Sequence, residues 1–389
     1  MEIGEPLRRD DRERFCLVVS SPMTAKAFLR DLLRSVAGAF KLRVIANAPN
    51  GDFLEEMHLE ASFAAVPLRR EISPWHDVIA LLQLARVFRH GKFQIVHSVT
   101  PKAGLLAMTA AWLAGIPCRV HTFTGQVWAT RTGWRRRLLK CADRMTAFFA
   151  THLLVDSPSQ REFLLAERVI RADKSRVLGC GSISGVDVDR FKPDGSARVA
   201  VRKELGLSEQ DVVFLYVGRL NRDKGVPELL KAFALLVGKF SAARLLLVGP
   251  DEEDLDRNMP SSTAMMRVGY TDQPERYMAA ADVFVLPSHR EGFGSTIIEA
   301  AACGLPSIAS RIYGLTDAVV EGLTGLLHRP QSVADLASAM EVLAADPEKR
   351  DRMGREARAR ALRDFRMEAV TRHTMQFYRS ALAQSGCCR

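Results

Sequence analysis

Short apolar runs alternate with segments of helical spacing along the chain, and this alternation restricts the fold more than any other feature. The runs RFCLVVSS, KLRVIANAP, FQIVHSV and CRVHTFTG are typical of buried strands, and the segments between them have helical periodicity. Strand, helix and strand at this spacing indicate a parallel sheet, because parallel neighbours need a long crossover connection. The sequence therefore predicts an α/β protein.

The alternation stops at a loop rich in proline, glycine and charge, RFKPDGSAR, and then begins again. After this loop come VVFLYVGRL, VPELLKAFALLVGKF, ARLLLVGP and DVFVLPS. A chain of 389 residues is also long for a single core. We expect two doubly wound domains, over 1–192 and 197–365, and a last helix and tail over 366–389 that can pack on either domain. Ligands of such sheets bind beyond the carboxyl ends of the strands, so two facing sheets would form a cleft.

The charge of the chain is unevenly distributed. Residues 1–200 hold 30 Lys and Arg against 20 Asp and Glu, whereas the rest holds 25 of each. The basic half suits an anionic partner, either nucleic acid or an anionic membrane face. No apolar stretch is long enough to span a bilayer, the N-terminus is too charged for a signal peptide, and the seven cysteines lack metal-binding spacing. We expect a cytoplasmic protein with reduced cysteines.

A turn rich in cations follows the run VVFLYV. Gly218 lets backbone approach a ligand, and Arg219 and Lys224 supply a planar fork and a point charge that suit two adjacent phosphates. Alternatively, this segment is an ordinary solvated loop that carries two cations and binds no ligand. The spacing differs from that of a phosphate-binding loop of nucleoside triphosphatases.

A second turn, HREGFG, leads from the run DVFVLPS into the helical segment STIIEAAACG. Gly292 and Gly294 free the backbone, and the N–H groups near Ser295 and Thr296 form a seat for a diphosphate at the positive end of the helix. Glu299, one turn further, can accept hydrogen bonds from a ribose diol, and Glu291 precedes the helix. Alternatively, Glu299 complements the helix dipole and Glu291 is solvated.

Three ordered motifs, YVGRLNRDKG, GYTDQPERYMAAADVFVLPS and REGFGSTIIEAAACGLPSIAS, resemble the donor half of retaining glycosyltransferases of family 4, which have the GT-B architecture. The resemblance implies that Arg219 and Lys224 hold the donor diphosphate and act in catalysis with Glu291, which contacts the donor sugar. It implies that Glu299 binds the ribose. The remaining donor-binding residues that it implies are Gly218, Gly269, Tyr270, Gly292, Phe293, Gly294, Ser295 and Thr296, with the segment from Arg267 to Tyr270 beside the base.

The first half is similar to members that extend bacterial surface polysaccharides on a polyprenyl diphosphate. The matching segments are RREISPWHD, VHSVTPKAG, HTFTGQVW and GSISGVDVDRF. Arg69, Arg70 and Lys102 are candidates for the phosphates of the acceptor, although a solvated role fits the two arginines as well. Ser21 lies where many members have a glycine-rich loop. Thr124 occupies the place of a histidine that members often have, and His121 is either an acceptor contact or a structural histidine.

The segment RTGWRRRLLKCADRMTAFF, residues 131–149, combines a cluster of cations with Trp134 and later apolar residues. It is typical of a helix that lies at a membrane surface, with cations on lipid phosphates and the indole at the headgroups. An ordinary helix with its apolar side in the core has the same composition. The uneven charge favours contact with the anionic inner face of the cytoplasmic membrane.

The sequence thus predicts a peripheral membrane enzyme that transfers a sugar from a nucleotide diphosphate, with retention, to a lipid-linked saccharide. The resemblance suggests a uridine diphosphate donor carrying an N-acetylhexosamine or a hexose. Catalysis would be electrostatic, with no metal and no cofactor, because Arg219 and Lys224 can neutralise the departing diphosphate. The DVD at residues 187–189 lies in a loop and is not expected to bind metal. The alternatives are a nucleotide-sugar epimerase and a nucleic-acid-binding protein, but the chain lacks the alternation of aromatic and basic residues expected of the latter.

Overall fold

The computed structural model describes residues 12–69, 73–255 and 263–386. These residues form two compact units, one of residues up to Ser184 together with those from Val370, the other of Gly185–Ala369. The first unit thus ends at Ser184, where the sequence suggested residue 192. The reason is a tertiary pairing: the N–H of Val186 donates to the carbonyl of Phe365 at 2.7 Å, which ties this loop into the second unit.

The first unit contains a seven-stranded parallel sheet in the order β3-β2-β1-β4-β5-β6-β7. Its strands are β1 (Arg14–Val18), β2 (Lys41–Ala46), β3 (Ser62–Ala65), β4 (Ile95–Val99), β5 (Cys118–Phe123), β6 (His152–Val155) and β7 (Ser175–Arg176). Its helices are α1 (Pro22–Phe28), α2 (Arg30–Ala39), α3 (Asp52–Glu56), α4 (Pro74–Gly91), α5 (Pro101–Leu113), α6 (Gly133–Phe149) and α7 (Pro158–Ala166). The first helical stretch, which reads as one helix in the sequence, is divided at Leu29.

The second unit contains a six-stranded parallel sheet in the order β10-β9-β8-β11-β12-β13. Its strands are β8 (Val212–Val217), β9 (Ala243–Val248), β10 (Met265–Val268), β11 (Val283–Leu286), β12 (Ser307–Ser310) and β13 (Gly325–His328). Its helices are α8 (Gly195–Glu204), α9 (Val226–Val237), α10 (Pro274–Ala280), α11 (Ser295–Ala302), α12 (Leu315–Ala318), α13 (Val333–Ala345) and α14 (Pro347–Asp364). The last helix, α15 (Met367–Gln384), belongs to the first unit from Val370 onward. Two doubly wound α/β units are therefore present, and the predicted fold class is confirmed.

Helices cover both faces of the first sheet, so its strands are apolar on both sides. Right-handed crossovers place α4, α5 and α6 in one layer, and α5 contacts both of the others. The opposite face buries α1, α2 and the C-terminal part of α15, where Phe377, Tyr378 and Leu382 join the core around Phe15. Among the described residues, no helix combines the length and apolar content needed to cross a bilayer.

Candidate functional site

The site predicted from the sequence lies where the strand order of the second sheet reverses. β8 has β9 on one side and β11 on the other. The later strands are added outward from this pair, β10 beyond β9 and β12 and β13 beyond β11. Turns after the carboxyl ends of two such neighbouring strands leave a crevice that binds ligands in open α/β sheets. The turn after β8, residues 218–225, and the turn after β11, residues 287–294, therefore lie side by side.

The two turns are packed backbone against backbone. Gly225 has φ of +71°, and a Cβ at this position would lie 2.1 Å from the carbonyl oxygen of Pro287, so only glycine fits. Asn221 accepts a hydrogen bond through its side chain from the N–H of Lys224 at 3.0 Å. The N–H of His289 donates to the carbonyl of Asp223 at 2.9 Å. These contacts fix where Lys224 stands relative to the second turn.

Two ion pairs join the side chains of these turns. The ammonium Nζ of Lys224 donates to Oε1 of Glu291 at 2.5 Å, and the hydroxyl of Ser288 donates to the same oxygen at 2.8 Å. Arg290 donates to Asp223 through two nitrogens, at 3.1 and 3.0 Å. The side chains of Lys224 and Glu291 are 22% and 15% exposed, so their attraction is less screened than that of a surface pair. The structure thus brings together two residues that the sequence singled out 67 positions apart.

Arg219 lies in the same turn and has a partner that the sequence analysis missed. Its guanidinium donates to both carboxylate oxygens of Glu252, at 3.1 and 2.9 Å, and the Asn221 amide donates to Glu252 at 2.9 Å. The hydroxyl of Tyr216 donates to the carbonyl of Arg219 at 2.7 Å. Its position in the sequence could have identified Glu252 as a candidate. The segment GPDEED directly follows β9 and so lies at the same edge of the sheet as the turn after β8.

Helix α11 begins where the sequence predicts, at Ser295, with Gly294 as its N-cap. Gly294 has φ of +83°, and a Cβ there would lie 2.5 Å from Leu315. Ser295 and Thr296 are partly exposed in the first turn, where helical N–H groups have no partner within the helix. The side chain of Phe293 is buried, with its ring centroid 5.2 Å from that of Phe365. Phe293 can therefore contribute to a diphosphate seat only through its backbone.

Glu299 lies one turn into α11 and is partly buried. Desolvation raises the pKa of its carboxyl to about 7, while the charge of Arg190 acts in the opposite direction and that of Glu275 adds to the rise. Arg190 donates to the carboxylate of Glu275 at 2.8 Å and to the carbonyl of Asp272. Arg190 directly follows the DVD segment and was not among the residues predicted from the sequence.

The segment expected beside the base begins inside a strand rather than after one. Arg267 and Val268 are the last residues of β10, and Gly269 and Tyr270 follow it. Tyr270 is 72% exposed, which is uncommon for so large a ring. Its position after a strand end of the same sheet is consistent with an aromatic surface for a base.

The acceptor candidates lie in the first unit, at or after strand ends. Ser21 is the N-cap of α1, and its hydroxyl lies 3.4 Å from that of Thr24. Lys102 begins α5 and forms an ion pair with Asp77 of α4 at 2.7 Å. Arg69 is exposed, and Arg70 lies outside the described residues. Ser21, Arg69 and Lys102 follow β1, β3 and β4, whose carboxyl ends share one edge of the sheet.

His121 lies in the core of the first unit and is 1% exposed. Its Nδ1 shares a hydrogen bond with the hydroxyl of Ser98 at 2.9 Å, and its ring occupies the space beside Gly104 of α5. Burial and the neighbouring His97 lower the pKa of His121 to about 3, so the ring is neutral. These contacts favour the structural role. Thr124 is partly exposed, and its carbonyl accepts from the amides of Gln126 and Gln160, each at 2.7 Å.

The side chain of Asp187, in the DVD segment, forms hydrogen bonds with the backbone of its own loop. Its Oδ1 accepts hydrogen bonds from the N–H groups of Asp189 and Arg190, both at 3.1 Å. Over residues 12–69, 73–255 and 263–386, no three His, Cys, Asp or Glu side chains come together in an arrangement that could hold a metal ion.

Two family models match the chain. The model of glycosyl transferases group 1 matches residues 198–360, and that of the glycosyl transferase 4-like domain matches residues 24–181. The first covers the turns after β8 and β11 together with α11.

Three curated relatives match over most of their length. The capsular polysaccharide biosynthesis glycosyltransferase CapM of Staphylococcus aureus is 29% identical over 82% of this chain and 85% of its own. The UDP-Gal:alpha-D-GlcNAc-diphosphoundecaprenol alpha-1,3-galactosyltransferase of Escherichia coli is 29% identical over 76% and 77%. The D-inositol 3-phosphate glycosyltransferase of Pseudarthrobacter chlorophenolicus is 31% identical over 72% and 69%.

Solved structures share the fold. The sucrose-phosphate synthase of Thermosynechococcus elongatus superposes with a TM-score of 0.79 at 24% identity, over 96% of this chain and all of that one. Anabaena Alr3699/HepE, solved in complex with UDP and glucose, superposes with a TM-score of 0.77 at 20% identity, over 95% of this chain and all of that one. These similarities, with the family models and relatives, establish that the chain has the GT-B fold and belongs to the group 1 glycosyltransferases.

Proposed function

We propose that the protein transfers a sugar, with retention at the anomeric carbon, from a uridine diphosphate donor to a saccharide linked to polyprenyl diphosphate. The donor sugar is an N-acetylhexosamine or a hexose, and the product belongs to a bacterial surface polysaccharide. The contact between Lys224 and Glu291 at the switch point of the second sheet is the observation that carries this proposal. In this proposal Lys224 binds the diphosphate, and Glu291 beside it binds the sugar.

The second unit supplies positive charge where the leaving diphosphate would develop negative charge. Arg219 and Lys224 belong to the turn after β8, and the first N–H groups of α11 follow the turn after β11. Fixed positive groups of this kind stabilise a departing diphosphate without reorganising during the reaction. We therefore propose that no resident metal ion or cofactor is needed.

Glu291 and Glu299 have separate roles in this proposal. Glu291 lies before α11 beside Lys224, and it would hold a hydroxyl of the donor sugar. Glu299 lies one turn into the helix, and it would accept hydrogen bonds from the ribose diol. The two carboxylates then mark the two ends of the nucleotide sugar, with the diphosphate at the Gly292–Thr296 turn between them.

Relatives support the donor and acceptor classes. The Escherichia coli relative is named for transfer of galactose from UDP to N-acetylglucosamine on diphosphoundecaprenol, and the Staphylococcus aureus relative is named for capsular polysaccharide biosynthesis. We propose that this chain likewise acts on a lipid-linked saccharide, at the cytoplasmic face of the inner membrane. The basic residues at 131–137 would contribute to that location.

The proposal is tested by incubating the protein with a panel of nucleotide sugars, with and without short polyprenyl-diphosphate-linked saccharides, and measuring product mass. We expect one added sugar on the lipid-linked acceptor from a UDP-sugar, and proton NMR of the product should show the anomeric configuration of the donor. Turnover should persist in EDTA. Conversion of the donor without any acceptor would instead identify an epimerase and contradict the proposal.

A further inference from the structure

Helix α6 presents an apolar row to solvent. Its outward residues recur at alternating spacings of four and three, which places them on one face of a helix. They are Trp134, Leu138, Cys141, Met145 and Phe148. Trp134 is 68% exposed and Phe148 is 71% exposed. The residues that α6 buries, among them Asp143 and Ala147, are different ones, so this row is not the core side of the helix.

Helix α4 presents a second row of the same kind, which the sequence analysis did not identify. Trp75, Val78, Ile79 and Leu82 lie at one face of its first two turns, and Trp75 is 82% exposed. Arg86 and Arg89 continue the same face toward the end of the helix and are exposed. The outward side of α4 is therefore apolar in its first half and cationic in its second.

Helix α5 lies between α4 and α6 in one layer on the sheet, so the two rows face the same side of the first unit. α5 adds Trp112 and Leu113, which are both about half exposed. The ring of Trp112 lies 5.1 Å from that of Phe149, and Phe149 in turn lies 5.2 Å from Phe148, measured between centroids. The apolar surface is thus continuous from the end of α5 to the end of α6.

The charged residues exposed on these three helices are all cations. They are Arg86, Arg89, Arg135, Arg137 and Arg144. Of the acidic residues of α4, α5 and α6, Asp77 forms an ion pair with Lys102, and Asp143 is buried and accepts from the indole N–H of Trp128 at 2.7 Å. An apolar surface ringed by cations attracts an anionic partner and repels a second copy of itself.

We propose that the α4–α6 face, defined by the outward apolar residues of α4, α5 and α6 and the five arginines beside them, docks the first unit on an anionic lipid bilayer. Indole rings favour the headgroup level and arginines the lipid phosphates, which matches the distribution of residues on this face. The inference rests on the proposed function, because a lipid-linked acceptor requires the protein to work at a bilayer. It adds α4 and α5 to the segment that the sequence indicated, and it fixes which side of the first unit meets the lipid.

The test is co-sedimentation of the full chain with vesicles of phosphatidylcholine mixed with phosphatidylglycerol, and with vesicles of phosphatidylcholine alone. The wild type should bind the anionic vesicles, and more weakly at high salt. The pair Trp75→Ser and Leu82→Ser in α4, and separately Trp134→Ser and Phe148→Ser in α6, should each weaken binding about tenfold or more. Val199→Ser with Leu235→Ser, which changes two exposed apolar residues of the second unit, is the matched control and should bind as the wild type does.

Three results would overturn this inference. They are wild-type protein that does not bind anionic vesicles, an α4 variant that binds them unchanged, and light scattering that shows a wild-type dimer converted to a monomer by the α6 variant. The last would assign the face to a second copy. Sugar transfer to an acceptor dissolved in detergent tests the proposed function separately, because all four variant residues named for α4 and α6 lie outside the donor turns. Vesicle binding without any transfer would leave the docking face in place and contradict only the proposed function.

Discussion

The two units differ in the ionisable side chains in and after their parallel strands. In the second unit, the turns after β8, β9 and β11 carry paired ions, with Lys224 on Glu291 and Arg219 on Glu252. In the first unit, Lys102 after β4 pairs with Asp77 of α4. Inside β4 and β5, His97 and His121 are neutral, since burial lowers the pKa of each to about 3. We propose that the paired ions of the second unit serve a charged ligand at its sheet edge.

The exposed surfaces differ as well. The α4–α6 face of the first unit combines large apolar side chains with cations, whereas the exposed cations of the second unit include many that pair with nearby carboxylates, such as Arg329 with Asp335. A cation that pairs with a carboxylate in a turn can exchange that partner for a phosphate of a bound ligand. A cation on an outer helix serves an extended anionic surface instead. We propose that the second unit binds the nucleotide and the first unit the lipid, and the following changes test this division.

Lys224→Ala should cause the largest loss. Removing a positive group that stabilises the departing diphosphate should lower kcat about 10²–10³-fold and also weaken UDP binding. Steady-state kinetics with the best UDP-sugar and calorimetry with UDP measure the two effects. Lys231→Ala, an exposed lysine of α9, is the matched control and should behave as wild type. Normal turnover in Lys224→Ala would contradict the proposal that Lys224 stabilises the departing diphosphate.

Glu291→Gln should separate turnover from nucleotide binding. In this variant UDP no longer has to displace a carboxylate from Lys224, which would otherwise cost free energy on binding. UDP should therefore bind about threefold to tenfold more tightly. Turnover should fall, because the sugar loses its carboxylate. Asp223→Asn breaks the other ion pair between the same turns and controls for loosening of the loops. Weaker UDP binding in Glu291→Gln would mean that the pair positions Lys224 for the ligand rather than competing with it.

The pH dependence of UDP binding should reveal Glu299. Its pKa of about 7 in the free protein means that the carboxyl is mostly protonated at pH 6 and mostly ionised at pH 8. If the ionised form holds the ribose diol, affinity rises as pH increases through about 7, by up to roughly tenfold between these two values. The phosphates of UDP titrate nearby, so the measurement is the difference between the profiles of wild type and Glu299→Gln. Identical profiles would show that Glu299 does not contact the nucleotide.

Tyr378→Phe should affect only the stability of the first unit. The Tyr378 hydroxyl and Nδ1 of His97 share a hydrogen bond at 2.7 Å in the core, and Nε2 of His97 lies 2.8 Å from the hydroxyl of Thr122. Leaving the buried nitrogen without this partner should cost about 1–2 kcal/mol, which lowers Tm by roughly 2–8 °C in a unit of this size. Calorimetric unfolding checks this, and UDP affinity should not change. A loss of UDP binding would contradict the separation of roles between the units.

The sequence predicted the fold because buried parallel strands leave a periodic pattern that needs no tertiary information. It also singled out Arg219, Lys224, Glu291 and Glu299 as candidates, since strand ends followed by glycine turns can be recognised in the sequence. It did not reveal Glu252 as the partner of Arg219, because that contact joins residues 33 positions apart through the order of β8 and β9. The pairing of Val186 with the second unit and the burial of Phe293 also need tertiary information, since each depends on contacts with Phe365.

The outward row of α4 was missed for a different reason. Trp75, Val78, Ile79 and Leu82 have the spacing of an ordinary core-facing helix, and periodicity alone does not tell which side of a helix is covered. Only the packing of α4 against α5 shows that other residues, among them Ala80, Leu84 and Phe88, form the buried side. In α6 the cluster of arginines indicated a surface-facing side in the sequence. The first half of α4 has no such cluster.

Hydrogen exchange of the full chain with and without UDP tests the central claim most directly. The account predicts slower exchange on UDP binding in residues 218–225 and 291–299 of the second unit, and no change in the turns after β4 and β5 of the first. Protection in those first-unit turns, with residues 218–225 unchanged, would contradict the assignment of the donor to the second unit.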